Sequence, residues 1–261
     1  MGPSAELPRS ARLPQPSRSR WLAYASPARF DPLARRLAPG FAVAAALFLI
    51  AGLYLGFGVA PTDAQQGEVY RIIFIHVPAA WMSMFIYLVM AGYCALALVL
   101  RTRLSSMMAS ALAPTGALFT FIALWTGALW GQPTWGTWWV WDARLTSELI
   151  LLFLYLGFLA LENAIDDPRR AERACAVLAL VGVVNIPIIY FSVQWWNTLH
   201  QGASVSLTAA PSMAHTMLAG MLLMTLACWM YTIAVALVRV RCILRERAEP
   251  RLINENRNRS C

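Results

Sequence analysis

No lysine occurs in the 261-residue chain; all 21 basic residues are arginine. That bias reads as genome composition more than mechanism. Charge of either sign is scarce, at 13% of residues against 59% hydrophobic. This balance excludes an ordinary soluble globule and fits a chain that crosses a membrane several times. The net charge of +8 does not point to nucleic acid, because the arginines sit in tails and short loops, where membrane topology accounts for them. Cysteine is sparse too: Cys94, Cys175, Cys228, Cys242 and Cys261, with no CxxC and no CxxCH. Both a thiol-oxidoreductase pair and a covalent cofactor-attachment motif are thereby excluded. The thiols read as small core hydrophobes and tail residues without a disulfide. No GxxxxGK followed by Ser or Thr occurs, so there is no nucleotide-phosphate loop.

What the chain has is long apolar runs. A bilayer core of about 30 Å needs about 20 apolar residues per helix. Six segments qualify, near Gly40–Ala60, Val77–Leu100, Met107–Trp130, Leu149–Ile165, Ala174–Val193 and Pro211–Val238. The expected fold is an all-α six-helix membrane bundle. Residues 1–39 are rich in Arg and Pro and read as a disordered cytoplasmic tail. They lack the early apolar run of a cleavable secretory signal. Residues 40–240 form the membrane domain, and residues 241–261 a second basic tail. Arginines crowd both tails, the turn at Arg101 and Arg103, and the connection at Arg169, Arg170 and Arg173. The three alternate loops hold only Arg71 and Arg144. The positive-inside rule therefore predicts both termini in the cytoplasm, with loops 61–76, 130–148 and 194–210 outside.

The second outer loop reads WGQPTWGTWWVWDARLTSE, residues 130–148. Trp130, Trp135, Trp138, Trp139 and Trp141 crowd one short segment broken by Gly131, Pro133 and Gly136. Indoles favour membrane boundaries and flat aromatic ligands, so the segment reads as a platform for something large, planar and greasy. Topology brings His76, in RIIFIHVPAAW, and His200, in QWWNTLHQGAS, to the same face. Pro78 suits a helix start, and a helix N-terminus disfavours imidazolium. Neutral imidazole is the metal-binding form. Two such groups can ligate one haem iron while the indoles cover the porphyrin and Arg71 and Arg144 meet its propionates. The plain alternative is that each histidine is structural and the tryptophans are interfacial anchors. Zinc fits poorly, because two histidines lack a carboxylate or Cys set beside them. Asp142 reads as a partner for Arg144 or a cap for the next turn.

Other polar residues in the spans carry no assigned chemistry. His215 is expected about a turn inside the sixth span, packing against neighbouring helices. Glu148 and Glu162 flank the fourth span and read as solvated ends, with Glu148 available to fix the tryptophan loop. Asn185 and Pro187 predict a kink in the fifth.

WGTWWVWDARLTSE resembles the tryptophan-rich WWD signature of haem-handling membrane proteins. IFIHVPAAW and WWNTLHQGAS look like the two histidine segments of the CcmC family, haem-handling proteins of cytochrome c maturation system I. The likeness spans roughly residues 40–240. It implies that His76 and His200 are axial ligands of a non-covalent, transiently held b-type haem. It implies that Trp130, Trp135, Trp139 and Trp141 form its platform, with Asp142 completing the motif and Arg71 and Arg144 assisting. It further implies work at the periplasmic face of the bacterial inner membrane, with delivery to the haem chaperone CcmE. The small single-span protein CcmD and the ABC transporter components CcmA and CcmB would be partners. On this reading the chain delivers a cofactor and is not an enzyme, although such proteins are also called haem lyases. Two rival classes share the bundle: a haem-transporting permease, with polar groups along a path through the bilayer, and a b-type electron carrier, with paired histidines deep in the helices.

Overall fold

The computed structural model describes residues 26–200, 205 and 210–247. The sequence before and after these limits, including most of both expected tails, lies outside the described residues. Helices make up the fold: α1 (Pro27–Leu53), α2 (Ile73–Leu100), α3 (Arg103–Trp135), α4 (Ala143–Ala164), α5 (Pro168–Gly182), α6 (Asn185–Trp195) and α7 (His215–Glu246). A π-helical segment, Tyr54–Val59, continues α1, and a 3-10 turn, Glu68–Ile72, leads into α2. Six helical stretches are long and apolar enough to cross a membrane, with α5 and α6 together forming one of them.

Two boundaries differ from the hydropathy reading. The first helix begins at Pro27, so residues 27–39 are helix and not tail. Pro27 suits the first turn, and Pro32 and Pro39 are carried within the helix. Tertiary contact explains the extension: Arg241 Nε donates to Asp31 Oδ1 at 2.9 Å, and α1 packs chiefly on α7. The same pairing draws the expected C-terminal tail into α7 as far as Glu246. The predicted break in the fifth span is present. Val183 and Val184 separate α5 from α6, and Asn185 Nδ2 donates to the Ser147 carbonyl at 2.8 Å.

Bilayer helices associate through close packing of small residues more than through hydrophobic burial. α3 follows this rule. Its Ala109, Ala113, Ala117 and Ala123 are buried against Met82, Ile86, Met90, Tyr155 and Phe158 of α2 and α4. A second cluster, Ala60, Tyr70, Phe74, Met221 and Met224, joins the α1 exit to the starts of α2 and α7. These clusters hold α2, α3, α4 and α7 in a fixed arrangement beneath the tryptophan segment.

Candidate haem-binding site

His76 stands in the first turn of α2, half-buried, and not in an outer loop. Its Nδ1 lies 3.0 Å from Thr126 Oγ1 of α3. The Thr126 hydroxyl donates to the Ile122 carbonyl at 2.6 Å, so its oxygen is left to accept. Nδ1 therefore carries the hydrogen, and Nε2 keeps the lone pair that binds metal. A Cβ at Gly127 would sit 3.1 Å from His76 Cε1, so that glycine makes room for the ring. Trp130 meets the imidazole edge-on, with centroids 5.7 Å apart, and its Nε1 donates to Gln66 Oε1 at 2.8 Å.

The tryptophan segment is mostly helix termini. α3 runs through Trp130 to Trp135 before Gly136 ends it at φ 77, a left-handed conformation that favours glycine. The Gly136 N–H closes the last turn on the Gln132 carbonyl at 3.0 Å. The non-helical stretch is short. Thr137 Oγ1 donates to the Trp139 carbonyl at 3.0 Å, and Trp139 and Trp141 pack edge-to-face at 5.4 Å. Trp138 and Trp141 are exposed, at 58% and 77%, which suits indoles at a membrane boundary or under a flat ligand. Asp142 then opens α4 by accepting the Leu145 N–H at 2.8 Å, a cap worth about 1 kcal/mol. Of the two roles open to Asp142, the structure shows the cap.

His200 joins from the segment after α6. Its ring packs on Trp135, the last residue of α3, at 4.9 Å and 58°. Its own N–H donates to Thr198 Oγ1 at 3.0 Å. Burial pulls the His200 pKa down to about 3, and the Arg144 guanidinium and His76 add to the fall. Arg144 and His76 thus both lie within electrostatic reach of His200. The two imidazoles, Arg144 and the indoles share one end of the bundle.

Three of the four buried side-chain polar atoms without a hydrogen-bond partner among the described residues belong here: Trp139 Nε1, Asp142 Oδ2 and His200 Nδ1. Buried polar groups in folded proteins are paired as a rule, so these three atoms stand out among the described residues. Arg144 makes no ion pair among the described residues. Arg71 differs. Its Nε bonds Glu68, and its terminal nitrogens bond the carbonyls of Gly56 and Ala60, tying the end of the first span to the start of the second.

His215 is the first residue of α7 and exposed, not a turn inside the helix, because residues 211–214 are non-helical. Glu148 is buried rather than solvated. Its Oε1 accepts from Ser83 Oγ at 2.8 Å, and Tyr155 OH donates to the Ser83 carbonyl at 2.8 Å. Thr126, Gln66 and Gly127 escape a reading of the sequence. The Thr-Gly break inside the apolar run before Trp130 is the one signal that points to two of them.

Residues 20–254 match the model of the family described as heme exporter protein C, CcmC. The chain belongs to that family. It is 55% identical to heme exporter protein C of Escherichia coli over 180 residues, covering 69% of this chain and 74% of that protein. It is 51% identical to the Bradyrhizobium diazoefficiens protein of the same name over 224 residues, 85% of each chain. It is 42% identical to the Paracoccus denitrificans protein over 236 residues, 90% of this chain and 98% of the other.

Proposed function

We propose that this chain captures haem at the tryptophan-rich end of the bundle and hands it on during cytochrome c maturation. His76 and His200 supply the two axial nitrogens. Trp130, Trp135, Trp139 and Trp141 form the apolar bed, Arg144 receives a propionate, and Arg71 assists with the N–H donors it does not spend on Glu68, Gly56 and Ala60. Asp142 holds the start of α4, and so Arg144, in place. The observations that support this reading are His76, its Nε2 lone pair left over, packed on Trp130, His200 packed on Trp135, and the buried atoms of Trp139, Asp142 and His200 that lack a hydrogen-bond partner among the described residues. On this reading the haem is b-type and non-covalent, held through the histidine nitrogens; the chain carries no CxxCH for c-type attachment.

Hand-over requires exchangeable ligation, and a short-lived complex follows from it. The arginine asymmetry favours an inner-membrane protein with this end in the periplasm. The acceptor is then the chaperone CcmE, with CcmD, CcmA and CcmB as neighbours in the assembly. A permease reading is less well supported. Polar groups buried inside the spans are engaged by protein partners, Glu148 by Ser83 and Asn185 by the Ser147 carbonyl. A b-type electron carrier is less well supported too, because His76 lies in the first turn of its helix.

The test is the absorbance spectrum and haem content of the purified protein, alone and after mixing with the chaperone. Wild type carries haem and yields it to CcmE, whereas His76→Ala and His200→Ala carry less. Equal haem content and identical spectra in all three proteins refute the ligand assignment.

A further inference from the structure

The end of the bundle away from the tryptophans holds a cavity of about 570 Å³ that the haem site does not use. It is lined by Arg101, Thr102 and Arg103 from the turn between α2 and α3, by Arg169, Glu172 and Arg173 at the start of α5, and by Ala97 and Leu98 of α2. Its volume lies within the range of about 300–1,000 Å³ of small-ligand sites. Four arginines from two separate connections and one carboxylate line it. That carboxylate is already engaged, since Glu172 Oε1 accepts from Arg247 Nη1 at 2.9 Å. The nearby acids offset the charge only in part: Asp167, which caps α5 through the Arg170 N–H at 2.8 Å, lies within electrostatic reach of Arg169 and Arg170, and Asp166 lines a different cavity. None of the four arginines forms an ion pair among the described residues.

Four guanidinium groups around one cavity repel one another, and an anion held among them relieves that repulsion. Planar guanidinium forks match phosphate oxygens two at a time. The cavity lies where three membrane-spanning helices begin or end, at Leu100, Arg103 and Pro168. Beside it, Leu98, Val99 and Leu100 are exposed at 37%, 77% and 55%, a greasy shoulder running from the cavity onto the lipid-facing side of α2. A phosphate carried on acyl chains satisfies both features, whereas a free phosphate leaves the shoulder bare. We infer that this cavity binds the headgroup of an anionic glycerophospholipid, with its chains lying along the end of α2. Basic pockets between spans are a recurrent form of headgroup site. Bound there, the lipid clips the α2–α3 turn to the start of α5.

The test uses the full chain, purified in detergent with phosphatidylglycerol or phosphatidylcholine and read by native mass spectrometry. Wild type retains phosphatidylglycerol at least about tenfold better than phosphatidylcholine. Each arginine near a charged headgroup contributes about fivefold, so Arg103→Gln with Arg169→Gln lowers retention by more than about tenfold. Lysine at the same two positions keeps the charge, and with it the membrane topology, but loses the fork; retention falls only a few-fold. Arg35→Gln with Arg36→Gln, at the start of α1 on the same end of the bundle, leaves retention unchanged. Undiminished retention in the Arg103/Arg169 glutamine pair, or equal loss in the Arg35/Arg36 pair, overturns the site. Release of the lipid by millimolar inorganic phosphate overturns the lipid assignment in favour of a free anion.

Discussion

The two candidate iron ligands are held in different ways. His76 is a helical residue between α2 and α3, its Nδ1 hydrogen committed to Thr126, its ring set against Gly127 and Trp130. His200 lies outside any helix, with a contact to Trp135, a local turn to Thr198 and, among the described residues, no partner on Nδ1. One candidate ligand is fixed in tautomer and direction; the ring of the other is placed by a tilted contact with Trp135. A protein that must release its cargo gains from that asymmetry. On the proposed function, the fixed imidazole would set where iron binds, and the less restrained one how easily it leaves. Two rigid ligands would retain haem, and two loose ones would not orient it.

The largest expected effect is at the fixed side. Removing an orienting partner of a metal ligand costs about 10–100-fold in affinity, and removing the ligand itself costs more. His76→Ala therefore lowers haem affinity by more than about 100-fold, measured by haem titration of the purified protein. His200→Ala costs less, because external imidazole can enter from the solvent side. Its haem spectrum returns to the wild-type form when imidazole is added, and that of His76→Ala does not. Equal rescue of both variants breaks the distinction between fixed and free ligand. Thr126→Val keeps the shape but removes the oxygen that receives the Nδ1 hydrogen. A loss of about tenfold is expected, with the wild-type axial set retained. No change in affinity would mean that Thr126 does not set the tautomer.

The same contrast explains what can be read from the sequence. The six spans, and the gathering of both histidines and the tryptophan segment at one end of the bundle, are legible because hydropathy and tryptophan density are local signals. Thr126 is not legible, since its meaning depends on a helix pairing with a residue fifty positions earlier. The start of α1 is hidden for a similar reason. Its prolines suggest a tail, while Asp31 meets Arg241 across the whole chain. Arg71 resembles Arg144 as a lone outer arginine, yet it bonds two carbonyls at the end of the first span. A charge pattern locates a residue by face but does not reveal which backbone it meets.

The smallest effect concerns pH and sharpens the comparison from the free side. An exposed histidine titrates near 6.5; burial, Arg144 and His76 pull His200 down to about 3. The folded protein therefore binds this proton less readily than the unfolded chain. Above about pH 6.5 both states are neutral here, and the group makes no pH-dependent contribution. Between about 6.5 and 3 the unfolded chain takes up the proton first, so stability falls as pH drops through that window. His200 nonetheless keeps the one free lone pair of its neutral ring across most of the same range. Haem affinity should change by less than about twofold between about pH 8 and pH 5, while the apo protein's melting temperature declines over the same interval. An affinity that falls with a midpoint near about 6.5 would show His200 to be solvated as an ordinary imidazole. The contact with Trp135 and the nearby guanidinium would then not be what tunes the second ligand.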